Sequence, residues 1–387
     1  MANNKSARSA VKETKMPSIE YQILLAASDI DPDEKERQKL LGLISQRFVQ
    51  DRLVEMAVRE GVAGLLYKNL KKIGVLGYLG HEQIEKLQSF YYSAARLNLR
   101  LLHDLKEILR KLNQSKTRVV LLQGIHLLQQ IYQDVGLRPL TDIDVWVLPE
   151  DFKAVDKTLR KLGYLKDSVY PKTFKRDSTI IDVNTHILWA DRIKSRRFLI
   201  KASQEDIYEN CRAVDIESET GDCLSRVDQI IYLSLHAFKH NLNRLIWLVD
   251  IKNLLKDWEA SDWAALAKRS RELGIKHVVR YILFYLDQLF GCELPTDARK
   301  IFEYKKIGYL ERYILQKRLT GKPLPVWGPL LLLPLPKSLY TRVCFFLENL
   351  FPRPQVLRQI FVKAPDSSSW LLYLKRARQI LAHTRNT

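Results

Sequence analysis

Between Thr117 and Trp189 the hydrophobic pattern changes from helical to strand spacing, and helical patterns lie on both sides. This insertion constrains the fold more than any other feature: a small sheet-bearing unit must be set into helical protein. Before it, "QKLLGLISQRF", "DRLVEMAVREGVAGLLYKNLKKIG" and "EQIEKLQSFYYSAARLNLRLLHDLKEILRKL" repeat apolar residues three and four apart. Inside it, "RVVLLQ" reads as a short buried strand. "IHLLQQIY", directly after Gly124, reads as a short helix, and "GLRPLT" as a loop. "DIDVWVL" is a second strand, and Pro149 with Glu150 and Asp151 opens a helix that Gly163 ends. "VYPKTFKR" and "STIIDVNTHILW" read as two more strands, joined by a hairpin around Arg176 to Ser178. "CRAVDI" is a further strand candidate, and from Val227 onward the pattern is helical again. The order β-α-β-α-β-β makes the expected class α+β.

Four parts are expected: a flexible basic tail over 1–20, an N-terminal helical region over 21–114, an α/β core over 115–216 and a C-terminal helical domain over 217–387.

Charge narrows the partners. The chain has 63 Lys+Arg against 44 Asp+Glu, a formal net charge of +19. Such a surface attracts polyanions: nucleotides, nucleic acid or an anionic membrane face. The four cysteines are widely spaced, which excludes a C-x-x-C zinc site and suits a reducing cytoplasm. The first residues lack the apolar run of a signal peptide. "LPVWGPLLLLPLP", from Leu324 to Pro336, is too short and proline-rich to span a bilayer. It reads either as a connector packing its leucines on the helical domain or as a peripheral contact with an anionic membrane surface.

The chemistry gathers around "TDIDVWVL". Alternate residues on a strand face one side, so Asp142 and Asp144 point the same way. Like charges held together favour a cation between them, and Mg²⁺ commonly bridges carboxylates and substrate phosphates. An isolated D-x-D also arises as two solvated acids at a loop–strand junction. "IIDVNTHI" adds a third acid: Asp182 shares one strand face with Asn184 and His186. If the two strands are neighbours, Asp142, Asp144 and Asp182 form a carboxylate cluster. Two acids would then hold metal, and the third would share a second metal or take a proton from a hydroxyl. Gly124, between strand and helix, would let backbone approach a phosphate.

These residues resemble the bacterial uncharacterised nucleotidyltransferase family, within the superfamily of DNA polymerase β-like fold. The likeness rests on Leu122, Gly124, Tyr132, the run Leu137-Arg138-Pro139, the run Asp142-Ile143-Asp144, Val147 and the run Pro149-Glu150-Asp151. "VREGVAGLLYKNL", "LSLHAFKHNLNRLIWLVDIKNLL" and "LENLFPRPQVLRQIF" extend it outward. The resemblance implies a nucleotidyltransferase core that moves a nucleoside monophosphate from an NTP to an acceptor, with Mg²⁺ held by Asp142 and Asp144, and Asp182 joining them or acting as base. The acceptor would be a small hydroxylated molecule, a sugar, a peptide or RNA. Gln123 stands where the family carries Lys, and Asn184 falls where a His is common. Those two departures keep a second expectation open: a catalytically degenerate relative that binds RNA, anionic lipid or a protein partner. Arg138 would either contact a phosphate or fix its loop by a salt bridge.

His236 and His240, four residues apart, share one side of a helix. With Lys239 they would line the nucleotide cleft from the C-terminal side, or form a buried polar seam. If the helix continued, Asn243, Trp247 and Asp250 would extend the stripe, but "HNLNR" is a candidate break.

Overall fold

The computed structural model describes residues 16–303, 306–325, 328–361 and 368–385. It is a mixed α/β protein. Helices α1 (Ile19–Ala26), α2 (Glu34–Ile44), α3 (Gln50–Glu60), α4 (Ala63–Lys72) and the long α5 (His81–Gln114) come first. The Ser18 side chain caps α1, so ordered structure begins inside the segment expected to be a tail, and residues 1–15 of that tail lie outside the described residues.

The α/β unit contains β1 (Val120–Leu121), α6 (Gly124–Leu127), β2 (Ile143–Trp146), α7 (Phe152–Lys161), β3 (Leu165–Lys166), β4 (Thr173–Arg176), β5 (Thr179–Asn184), α8 (Gln204–Glu209), β6 (Arg212–Ile216) and β7 (Glu219–Cys223). The strands form one seven-stranded sheet in the order β3-β4-β5-β2-β1-β7-β6. β2 runs parallel to β5, and β1 parallel to β7, while the remaining neighbours are antiparallel. The expected hairpin is β4–β5, turning at Asp177, which has a positive φ of 52°. Along β5 burial alternates residue by residue, so the apolar Ile181 and Val183 enter the core and Asp182 and Asn184 face the other way. His186 lies beyond the end of β5, where its Nδ1 accepts from the Leu188 N–H at 3.1 Å. The expectation that it continues the Asp182 strand face is therefore corrected.

The C-terminal part holds α9 (Arg226–Lys239), α10 (Ile246–Leu254), α11 (Ala260–Glu272), α12 (Lys276–Phe290), α13 (Thr296–Phe302), α14 (Tyr309–Leu319), α15 (Leu339–Leu350), α16 (Pro354–Ile360) and α17 (Ser369–Arg385). One continuous hydrophobic cluster runs from Tyr21 to Phe345 and joins helical and sheet-bearing parts. The N- and C-terminal helices also meet directly. Arg318 on α14 reaches Glu60 on α3 at 2.7 Å, with both side chains almost wholly buried. The proline-rich connector packs inward: Leu324, Leu331, Leu332 and Leu335 are buried. Those leucines are thus unavailable to a membrane surface, and no helix among the described residues is long and apolar enough to cross a membrane.

Candidate active site

The loop before β2 is built first by packing. Gly124, at the start of α6, is buried, and a Cβ there would overlap the Arg138 guanidinium and the Leu140 side chain. Glycine is needed at this position so that Arg138 can pass, which accounts for it without a phosphate. Arg138 in turn grips Asp250 on α10 through Nε and Nη2, the shortest contact being 2.7 Å. The Tyr132 hydroxyl donates to the same carboxylate at 2.6 Å. From α5, the Asn98 amide donates to the carbonyls of Val135 and Arg138, each at 2.7 Å. The guanidinium is buried and committed to Asp250, so the phosphate-contact expectation for Arg138 is corrected in favour of the salt bridge. The loop "GLRPLT" is thereby pinned on two sides and delivers Asp142 and Asp144 in a fixed position.

The two strands carrying the acids are neighbours. In the parallel pairing of β2 and β5, Asp144 lies directly opposite Asp182. Asp142 sits just before β2, where the Thr141 hydroxyl donates to its Oδ1 at 3.0 Å. The three carboxylates are close enough to disturb one another. Burial, then the charge of Asp182, raises the Asp142 pKa. Burial, followed by the charges of Asp142 and Asp182, raises Asp144 well above the usual carboxylate range. The Thr173 hydroxyl on β4 donates to Asp182 Oδ1. The Asn184 amide donates to the Val145 carbonyl at 3.2 Å and makes a longer contact of 3.5 Å with Asp144 Oδ1.

A cavity of about 590 Å³ opens over Asp144, Asp182 and Asn184, with Lys172, Trp189, Arg192 and Lys239 also on its walls. Its size is that of an ordinary small-molecule site. Lys239 is the last residue of α9 and its Nζ lies 3.9 Å from the centroid of the Trp189 ring. Burial, with Arg196 and Arg192 nearby, pulls its pKa down to about 7, against the opposing pull of Asp144 and Asp182.

The other sequence-derived candidates fall in different places. Gln123 occupies a strained backbone position, φ 52°, and donates from its amide to the Tyr232 hydroxyl at 3.0 Å. His236 is buried among the rings of Trp189, Tyr232, His240 and Trp247. Burial holds His236 well below, and His240 at about 3, so neither ring carries charge at neutral pH. His236 is therefore a seam residue, which corrects its place in the nucleotide cleft, while His240 lines a neighbouring cavity together with Lys239. The proposed stripe stops after His240, where Asn241 and Leu242 both have positive φ. Trp247 returns to the two histidine rings from α10, and Asp250 serves Arg138.

Thr173, Trp189, Arg192 and Arg196 were not singled out from sequence. Only clustering of Arg192, Arg196 and Arg197 within a few positions hinted at the last two.

Among the described residues, no group of three His, Cys, Asp or Glu side chains is placed to hold a metal ion, Asp142, Asp144 and Asp182 included. Mg²⁺ seldom needs one, since it commonly takes one or two carboxylates and leaves its other positions to water and substrate phosphates. The repelling pair Asp142 and Asp144 suits a two-carboxylate donor set, whereas Asp182 is not placed with them as a third ligand.

The model of a family described as "Uncharacterised nucleotidyltransferase" matches residues 46–291, well over half of the chain and the whole of the site up to Asp250. The chain belongs to this family. No curated protein matches it.

Proposed function

With that family membership as premise, we propose that the protein is a bacterial, divalent-cation-dependent enzyme of the DNA polymerase β-like superfamily. It moves a nucleoside monophosphate from an NTP to a hydroxyl-bearing acceptor and releases pyrophosphate. The observation that carries this reading is the β2–β5 register, which sets Asp144 beside Asp182 at the floor of a cavity with a cation on its wall. Asp142 and Asp144 would hold Mg²⁺, with Asp182 as the third carboxylate. When bound, the ion offsets the repulsion between the acids and draws charge from the triphosphate oxygens.

The chain's own groups do the rest. In the transfer, the acceptor oxygen bonds to the α-phosphorus, the α–β bridging P–O bond breaks, and pyrophosphate leaves. The hydroxyl proton passes to Asp182, whose Oδ1 is held by Thr173, leaving Oδ2 for the task. Lys239 in its charged form, with Arg192, meets phosphate charge across the same cavity. A reducing cytoplasm suits the four free cysteines.

A second reading rests on Gln123 and Asn184, which replace the Lys and His of the family pattern. Gln123 is tied to Tyr232. In that reading the fold binds RNA, anionic lipid or a protein partner without turnover.

Incubation with each labelled NTP, Mg²⁺ and cell extract separates the two. The expected result is label in a discrete product, lost in both Asp142→Ala and Asp144→Ala while the circular dichroism spectrum is kept. Equal NTP turnover by the double variant would sink the enzymatic reading. Metal-independent NTP binding without turnover, together with salt-sensitive RNA binding, would establish the second.

A further inference from the structure

A second cavity of about 390 Å³ adjoins the carboxylate cavity, and Arg192, Lys239 and Val356 line both. One part of its wall is cationic: Arg192, Arg196, Lys239 and Arg376. Among the described residues none of these four makes an ion pair with a carboxylate. Arg376 donates to the carbonyls of Asn349 and Leu350 and to the Gln379 side chain, so its charge is hydrogen-bonded without being neutralised. Glu348, the acid whose charge reaches Arg196, is occupied: its two oxygens accept from the Lys194 and Ser195 N–H groups at 2.9 and 2.7 Å. Burial, with Arg192 beside it, outweighs the charge of Glu348 and pulls the Arg196 pKa down to about 10. Apolar side chains, Ile193, Leu330, Phe345, Phe346, Leu350 and Ile360, make up much of the remaining wall, beside the polar His240, Asn241, Asn349 and Gln379.

Arg196, Lys239 and Arg376 are half-buried and Arg192 is exposed at the cavity mouth. Cations partly withdrawn from water and left unpaired gain from an anion through charge-assisted hydrogen bonds. The apolar wall adds a demand that a free inorganic anion does not satisfy. We propose that this cavity is the acceptor subsite, and that the acceptor is an amphiphile with a phosphate or carboxylate joined to an apolar chain or ring. The proposal rests on the nucleotidyl-transfer reading for the word acceptor, while the ligand class rests on this cavity alone. An anion held between Arg196 and Arg192 leaves the ligand's hydroxyl end free to pass Lys239 toward Asp144 and Asp182.

Calorimetric titration of the full chain tests it, with decyl phosphate, inorganic phosphate and decanol as probes. Decyl phosphate should bind at least about tenfold more tightly than either other probe. Arg196→Ala should weaken it by about tenfold or more, and Phe346→Ala should remove the preference for the decyl chain while keeping phosphate affinity. The Arg196→Lys variant, which keeps the charge, guards against misfolding: it should recover part of the affinity at an unchanged melting temperature. Asp142→Asn should bind decyl phosphate within about twofold of the natural chain. Decyl phosphate binding that is unchanged in Arg196→Ala, or that vanishes in Asp142→Asn, overturns the location. Equal affinity for decyl and inorganic phosphate overturns the amphiphile class. The transfer reading fails separately, through NTP turnover that is the same with and without Asp142.

Discussion

Arg138 and Lys239 are both cations near aspartates, and the molecule treats them in opposite ways. Arg138 is matched: Asp250 takes its fork, and Tyr132 completes the carboxylate. Lys239 feels the charge of all three crowded carboxylates and of Arg192 and Arg196, with no ion pair of its own among the described residues. Only a few residues separate Arg138 from Asp142, so one short loop carries both a satisfied charge network and an unsatisfied one. The satisfied network fixes geometry. The unsatisfied one is where a charged ligand can still change the energy, which is why the functional reading belongs there.

The sharpest way to break this contrast is at the satisfied end. Asp250→Ala would leave the Arg138 guanidinium buried and unpaired, and should cost about 3–5 kcal/mol in urea unfolding. A loss below about 1 kcal/mol would mean that solvent reaches Arg138 and that the loop is not pinned as described. Gly124→Ala presses on the same guanidinium from the other side, where Asp250 prevents it from swinging away. That substitution should destabilise by about 1–3 kcal/mol by the same measurement.

A smaller effect lies at the unsatisfied end. The folded-state pKa of Lys239, about 7, is below its ordinary 10.5. Between those values the unfolded chain binds more protons, so this group makes stability rise with pH across that window. Below about pH 7 both states are protonated and its contribution is flat. Lys239→Met should remove that slope from a series of unfolding curves. Nucleotide affinity should fall as pH rises through about 7 in the natural chain, as Lys239 loses charge, and should not do so in the variant.

Much of this was legible in the sequence, and the parts that were not share a cause. β2, the β4–β5 hairpin and the helix after Pro149 announce themselves through local alternation, turn chemistry and proline. β7, "ETGDC", does not alternate apolar residues, and β3 is only two residues long, so neither was expected. The one-residue spacing of Asp142 and Asp144 was visible at once. Their adjacency to Asp182 depends on the order β5-β2 in the sheet, which no local pattern encodes. Arg138 shows the limit most plainly: the two readings were decided by Asp250, a partner 112 positions away. His236 likewise looked like a cleft residue by spacing, and the packed rings around it made it part of the interior.

If Asp142 and Asp144 bind Mg²⁺ as proposed, melting curves with and without the ion reveal it most directly. The raised pKa values of the two acids mean that ionising them in the folded state weakens it as pH rises above the ordinary carboxylate range. Without divalent cation at neutral pH, Asp144→Asn should therefore melt at or above the temperature of the natural chain. Saturating Mg²⁺ should raise the natural chain and leave the variant unmoved, so that the order reverses. A natural chain that melts higher than Asp144→Asn in EDTA and ignores Mg²⁺ would contradict the account.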